Sequence, residues 1–281
     1  MIPAEFDYVA PDSLDGALAA LHDGGEDAKI LAGGHSLLPL MKLRLAAPSL
    51  LVDLRHVPDL AGVARSNGAF RIGPMTRHAA IAANADLGLA ATVAATIADP
   101  QVRHRGTIGG SIVHGDPAGD MPAVLLAAEG TITARGAGGE RQIAAADFFQ
   151  DYLTTALQDD EIVTALELSA LDGYRHAYRK FNRRREDWAM VAVCASVKKA
   201  ADGSCEDVRI GLTHMASVPL RATAAETALR GQPLDADRIA AAAAQAAEGT
   251  DPPADLNATA DYKRHLARVL CRRALTEAAG L

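Results

Sequence analysis

The chain has 281 residues, of which 49% are hydrophobic and 22% charged, a composition that excludes disorder as the overall state and suits one or two domains. Aromatics make up only 4%, so the core must be built from Ala, Leu, Val and Ile. With Lys+Arg 28 against Asp+Glu 35 the net charge is −7; this balance gives no electrostatic footprint for nucleic acid, whose binding draws on clustered cations, and argues for small-molecule or protein partners.

The N-terminal residues carry Glu5 and Asp7 and no basic run, unlike a secretory signal. Ser13 caps a predicted helix ending at Leu21, in which Leu14, Ala17, Leu18 and Leu21 recur at helical spacing. Residues 29–32 read as a short apolar strand that runs into Gly33-Gly34-His35-Ser36, a helix over 37–45 and a second strand over 50–53. Strand, glycine turn, helix and strand form a βαβ-like pattern, which normally makes parallel strands. Next come a strand over 70–73 and helices over 76–84 and 86–98, the latter stopping before Pro100. The apolar stretch 87–98 is too short to span a bilayer. A glycine-dense loop is expected over 105–119, after which Asp120 can cap a helix over 121–128 with Pro122 in its first turn. A hairpin over 131–143 and a strand over 161–168 follow. Beyond Gly173 the pattern predicts three strands (174–181, 188–198, 208–215) and three closing helices (222–229, 235–248, 259–279). A boundary falls near residue 172, and the fold class is α+β rather than a repeating βα barrel.

Two glycine-serine turns carry the chemistry. In Ala32-Gly33-Gly34-His35-Ser36, adjacent glycines let backbone N–H groups approach an anion, and the helix behind presents its positive end. Alone, such a pair of glycines is more often a plain turn feeding a helix. Asp53 follows at the spacing of a ribose-binding acid, but the turn is not G-x-G-x-x-G, so a nicotinamide-binding reading is disfavoured. His35 either contacts phosphate or packs. The second turn, Thr107-Ile108-Gly109-Gly110-Ser111, opens a stretch through Gly115 and Gly119 that suits a backbone wrapped around a ligand. Asp116 and Asp120 could accept from ribityl or ribose hydroxyls. Arg183-Arg184-Arg185 reads as a solvated loop in preference to a docking surface. His104 and His114 lack metal-ligand spacing, and Cys194, Cys205 and Cys271 are scattered, so no metal site is expected on this chain. Three unpaired-looking thiols suit a reducing, cytoplasmic setting.

Both turns, with His114-Gly115-Asp116-Pro117-Ala118, Asp120-Met121-Pro122-Ala123, Asp160-Glu161-Ile162, Tyr178-Arg179-Lys180-Phe181 and Asp187-Trp188-Ala189, resemble the flavin-binding medium subunits of molybdenum-containing hydroxylases. That group includes carbon monoxide dehydrogenase and bacterial relatives of xanthine dehydrogenase. The resemblance spans nearly the whole chain. It implies a vanillyl-alcohol-oxidase-like FAD-binding fold of two α+β subdomains (1–56 and 57–172) and a C-terminal α+β domain (173–281) with a three-stranded sheet and helices. It assigns Ala32 through Ser36 to the FAD pyrophosphate and Thr107 through Ser111 to the second cofactor motif. It further implies that Asp120 is the loop aspartate, that Ile162 or Val163 gives a backbone contact beside the flavin, and that Lys180 lies near the flavin or its phosphate.

The implied function is electron relay, with no catalytic acid or base on this chain. Electrons from substrate oxidised at a molybdenum cofactor on a large partner subunit would cross [2Fe–2S] clusters on a small one. They would reach the FAD and leave to an external acceptor, in what is expected to be a dimer of heterotrimers. The alternative is a self-sufficient flavin oxidoreductase of the same fold; a docking protein without cofactor is a third, weaker reading.

Overall fold

The computed structural model describes residues 2–281, and only Met1 lies outside. The N-terminal part comprises β1 (Asp7–Val9), α1 (Leu14–Gly24), β2 (Ala28–Leu31), α2 (Leu37–Lys42) and β3 (Leu50–Asp53). β1 and β2 both run parallel to the central β3, as the βαβ pattern of residues 29–53 requires. β1 left no pattern to read, because Asp7, Tyr8 and Val9 are all exposed. Ser13 starts α1 by accepting the Gly16 N–H at 3.2 Å, a cap worth about 1 kcal/mol. Ala17 and Leu21 on its inner face pack with Val52 and Leu54.

The middle part contains β4 (Val63–Ser66), β5 (Ala69–Ile72), α3 (His78–Ala83), α4 (Leu89–Ala94), α5 (Pro100–Arg103), α6 (Ile108–His114) and α7 (Asp120–Ala127). It continues through β6 (Thr131–Gly136), β7 (Gly139–Ala144), α8 (Ala145–Phe148), β8 (Phe149–Asp151), β9 (Thr154–Thr155) and β10 (Ile162–Ser169). Its main sheet is antiparallel in the order β4-β5-β10-β6-β7, and β6 and β7 are the expected hairpin. Three expectations are corrected. The helix over 86–98 shrinks to α4, because Gly88 takes φ +49° and separates it from a preceding 3-10 turn. The segment 105–119 is not all loop: it contains α6, capped by Thr107, whose Oγ1 accepts the Gly110 N–H at 3.2 Å. Asp120 does not cap α7, since Gly119 holds that position and the Asp120 carboxylate turns inward.

The C-terminal part holds β11 (Tyr174–Phe181), β12 (Val191–Lys199), β13 (Cys205–Thr213), β14 (Leu220–Arg221), α9 (Thr223–Leu229), α10 (Ala236–Ala244) and α11 (Ala260–Ala279). The sheet order is β11-β12-β13-β14; the expected three strands gain β14, a two-residue edge strand too short to leave a periodic signature. β12 is buried on both faces, and its period-two alternation divides two cores. Val191, Val193, Ala195 and Val197 face the helices α9–α11, while Ala192 and Cys194 join the core of the middle part. That second face rests on α7, every residue of which is buried, as suits a helix apolar nearly all round. Gly211 permits the close approach: a Cβ there would lie 2.7 Å from Cys194 Sγ and press on the Ala123 backbone. Among the described residues, no helix is long and apolar enough to cross a membrane.

Candidate cofactor site

A cavity of about 740 Å³ lies where the loops of the N-terminal and middle sheets meet the end of β11. Ala32 through Ser36 line it, as do Thr107, Gly109, Gly110, Ser111, Asp120, Ile162 and Lys180. Ile108 is the exception among the residues nominated from sequence: its side chain is 1% exposed and packs in the core.

The first turn leaves β2 and enters α2. Gly34 takes φ +75°, the left-handed region that glycine tolerates. At Gly33 a Cβ would sit 2.7 Å from the Gly106 Cα and closer still to the Arg105 carbonyl oxygen, so the two glycine loops touch backbone to backbone there. Among the described residues, the N–H groups of Gly33, Gly34, His35 and Ser36 find no backbone acceptor, and the Ser36 hydroxyl makes no capping bond. His35 is exposed, its Nδ1 2.8 Å from the Gly33 carbonyl oxygen.

The second turn is built differently. Its N–H groups are committed: Ile108 donates to Thr76 O at 3.0 Å, Gly109 to Pro74 O at 2.8 Å and Gly110 to Thr107 Oγ1. Gly109 is there for contact, since a Cβ would come within 2.8 Å of the Pro74 Cα. This turn therefore offers the Ser111 hydroxyl and a smooth glycine wall, with the first turn supplying the free donors.

Asp120 is 5% exposed and forms an ion pair with Lys180 Nζ at 3.0 Å, while the Tyr178 hydroxyl donates to its other oxygen. Burial pushes the Asp120 carboxyl up, opposed by the Lys180 charge and the Tyr178 hydrogen bond; burial and the neighbouring carboxylate push the Tyr178 phenol well above its ordinary value. Asp116 spends an oxygen on the Ala118 N–H at 2.8 Å. Ile162 and Val163 line the cavity, and the β10–β6 ladder slips between Val163 and Ala165, a bulge at the start of β10. Asp53 lies outside the wall. Despite desolvation, its carboxyl is held below the usual range by Arg55 and Tyr8, which donate from Arg55 N at 2.9 Å, Arg55 Nε at 2.6 Å and Tyr8 Oη at 2.9 Å. Its ribose-like spacing is thus a structural coincidence.

Of the lining and supporting residues, His78 escaped sequence reading altogether, while Tyr178 and Trp188 stood only inside the resembling segments, without a role of their own. Tyr178 is visible only through its partner. His78 lines the cavity at 4% exposure with Nδ1 unpartnered, and nothing in its local pattern marks it. Trp188, the chain's one tryptophan, stands 54% exposed beside Glu186 and Asp187 on the rim.

Backbone donors without acceptors, a glycine wall and the Lys180 cation line one cavity, an arrangement suited to a phosphate-bearing ligand. Residues 4–169 match the family described as FAD binding domain in molybdopterin dehydrogenase, and residues 176–278 match the CO dehydrogenase flavoprotein C-terminal domain. The chain is 40% identical to the carbon monoxide dehydrogenase medium chain of Hydrogenophaga pseudoflava, covering 99% of this chain and 98% of that one. It is 38% identical to the 6-hydroxypseudooxynicotine dehydrogenase complex subunit alpha of Paenarthrobacter nicotinovorans, over 99% and 96% of the two chains. Among solved structures it superposes on the Cu,Mo-CO dehydrogenase in its cyanide-inactivated form with TM-score 0.96 at 38% identity, covering 99% of each chain. It also superposes on quinoline 2-oxidoreductase from Pseudomonas putida 86 with TM-score 0.94 at 32% identity, over 99% and 98%. The chain belongs to the family of FAD-binding medium subunits of molybdenum-containing dehydrogenases, and is an oxidoreductase subunit.

The residues fit that cofactor. The donors of Gly33 through Ser36 suit a pyrophosphate, and Gly33 and Gly110 keep the wall free of side chains.

Proposed function

We propose that this chain is the electron-relay subunit of a three-component molybdenum dehydrogenase. It takes electrons from [2Fe–2S] clusters on a small partner subunit, while a large partner carries the molybdenum cofactor and oxidises the substrate. It passes the electrons to an external acceptor, and the whole works in the cytoplasm as a dimer of heterotrimers. The observation that carries the reading is the single cavity that gathers both glycine turns, Asp120 and Lys180. Bound FAD supplies one- and two-electron redox states, which suit a relay.

The chain's own residues then bind and orient. Gly33 through Ser36 donate backbone N–H groups to the pyrophosphate, with Ala32 beside them. Thr107 fixes the second turn, Gly109 and Gly110 shape its wall, and Ser111 donates a hydroxyl. Ile108 anchors that turn from the core. Lys180 offsets phosphate or flavin charge and is itself held by Asp120 and Tyr178. The bulged start of β10 at Ile162 and Val163 presents backbone groups beside the ring. Residues 1–56 and 57–172 form the two cofactor-binding subdomains, and 173–281 the domain that closes Lys180 onto them.

The test is reconstitution. Full-length chain mixed with FAD should acquire a bound-flavin absorption spectrum, and oxidation of organic substrate should appear only when both partner subunits are added. Substrate turnover by the flavin-loaded chain alone would overturn the relay reading and favour a self-sufficient oxidoreductase.

A further inference from the structure

His78 opens α3, and its backbone N–H donates to Gly106 O at 3.0 Å, so the segment that bears it is stitched to the second glycine loop. The ring is 4% exposed and belongs to the cavity lining. Its Cδ2–Nε2 edge lies against Gly106: a Cβ on that glycine would meet His78 Cδ2 at 3.0 Å and Nε2 at 3.5 Å. Gly106 is also the residue on which Gly33 rests. The imidazole therefore stands at the point where the two cofactor loops touch.

Burial, reinforced by the nearby Arg103 charge, pushes this imidazole down to about 4, so near neutral pH it carries one proton and no charge. A neutral ring has one N–H to place. Nδ1 is sealed and has no hydrogen-bond partner, whereas Nε2 is not sealed; a proton on Nδ1 would leave a buried donor unmade, which is costly, while one on Nε2 has an open side from which an acceptor can reach it. The proton consequently sits on Nε2, the edge turned toward Gly106 and the cavity.

We infer that His78 is a cofactor-contacting residue, donating an uncharged Nε2–H hydrogen bond to an acceptor oxygen of FAD where the two glycine loops meet. This rests on the FAD site proposed above. An uncharged donor recognises phosphate or ribityl oxygen with the same chemistry, and it complements the backbone donors of Gly33 through Ser36 without adding a second cation to Lys180.

The side-chain amide of glutamine places an N–H close to where Nε2 stands, whereas asparagine reaches only the Nδ1 position. Flavin-fluorescence titration of the full chain should therefore give wild-type affinity for His78→Gln, and about tenfold weaker binding for His78→Asn and His78→Phe, the worth of one hydrogen bond to an anionic or hydroxyl oxygen. In addition, 15N spectra of histidine-labelled, FAD-loaded wild type should show the His78 proton on Nε2. The inference is overturned if His78→Phe binds FAD as tightly as wild type, or if the proton is found on Nδ1. A wild-type chain that binds no FAD would instead overturn the site itself. Should His78→Phe fail to fold, the Gln–Asn pair and the tautomer decide alone.

Discussion

Replacing Gly33 by alanine tests whether the two glycine loops must touch. The added Cβ would stand 2.7 Å from the Gly106 Cα, where ordinary contact is 3.4–4 Å, and nearer still to the Arg105 carbonyl oxygen. Both obstacles are backbone, so neither can rotate away, and the loops must separate by about 1 Å. Strain of that kind costs about 1–3 kcal/mol in the folded state, a fall in melting temperature of roughly 5 °C for a chain of this size. The loss in binding should be larger. Backbone donors aimed at a pyrophosphate make charge-assisted bonds worth about 1.5–3 kcal/mol each, so misplacing one or two of them weakens FAD binding by about 100-fold. Gly138, with no atom within 4 Å of a built Cβ, supplies the control: Gly138→Ala should change neither quantity. Flavin-fluorescence titration reads the affinity and thermal melting reads the stability. Gly33→Ala binding FAD within about threefold of wild type would show that loop contact is not what shapes the site, and the reasoning would fall.

Other consequences are as direct. Asp120→Asn leaves the Lys180 ammonium buried without its counter-charge, a loss of about 3–5 kcal/mol, whereas Tyr178→Phe removes one hydrogen bond and costs about 1–2 kcal/mol; urea unfolding should rank them in that order. Lys263 is fully buried and donates to Asp255 Oδ2 at 2.7 Å and toward His214 Nε2 at 3.3 Å, while Asp255 itself is 31% exposed. Asp255→Asn should therefore destabilise by about 3 kcal/mol and Lys263→Met by about 1 kcal/mol, because only the carboxylate can turn to water when abandoned; equal losses by chemical denaturation would contradict this. Against desolvation, hydrogen bonds from Tyr174, Arg230 and Arg209 hold the Asp207 carboxyl down at about 2, below its ordinary 3.8. Its stabilisation is complete above about pH 4 and disappears as pH falls toward 2, amounting to about 2 kcal/mol. Asp207→Asn should lack that share of the acid-side slope in unfolding midpoints measured between about pH 5 and pH 2.5. Cys194 and Cys271 are pushed up to about 12 and Cys205 to about 11 by burial, so a thiol reagent should leave the native chain unlabelled and react with all three only after unfolding.

The parts of this fold that were legible in the sequence are those where one face sets the pattern. α1 shows its cap and its inner stripe, and β2, β3, β6 and β10 are apolar runs bounded by glycine or charge. α6 was hidden because its glycines, read as turn formers, are there to let Pro74 approach Gly109 and Ala32 face Gly110. The site divides the same way. Gly33 through Ser36 and Thr107 through Ser111 are contiguous and could be read as motifs. The Asp120–Tyr178–Lys180 cluster joins residues some 58 to 60 positions apart, and no local periodicity encodes such a meeting. His78 is the extreme case, since its role follows from what its ring lacks in the folded chain, a partner for Nδ1.

The position of α7 has a wider meaning. At its first residue Asp120 is bound to Tyr178 and Lys180, and just past its end Glu129 takes Arg221 at 2.8 Å and Arg209 at 3.1 Å. One helix is thus fastened at both ends to the C-terminal sheet while one of those ends belongs to the flavin cavity. Holding the cofactor and folding the last third of the chain become linked equilibria. Binding FAD should then raise the melting point of the last third of the chain along with that of the cavity, and a core substitution in α11 should weaken flavin binding, which thermal melting with and without FAD would read.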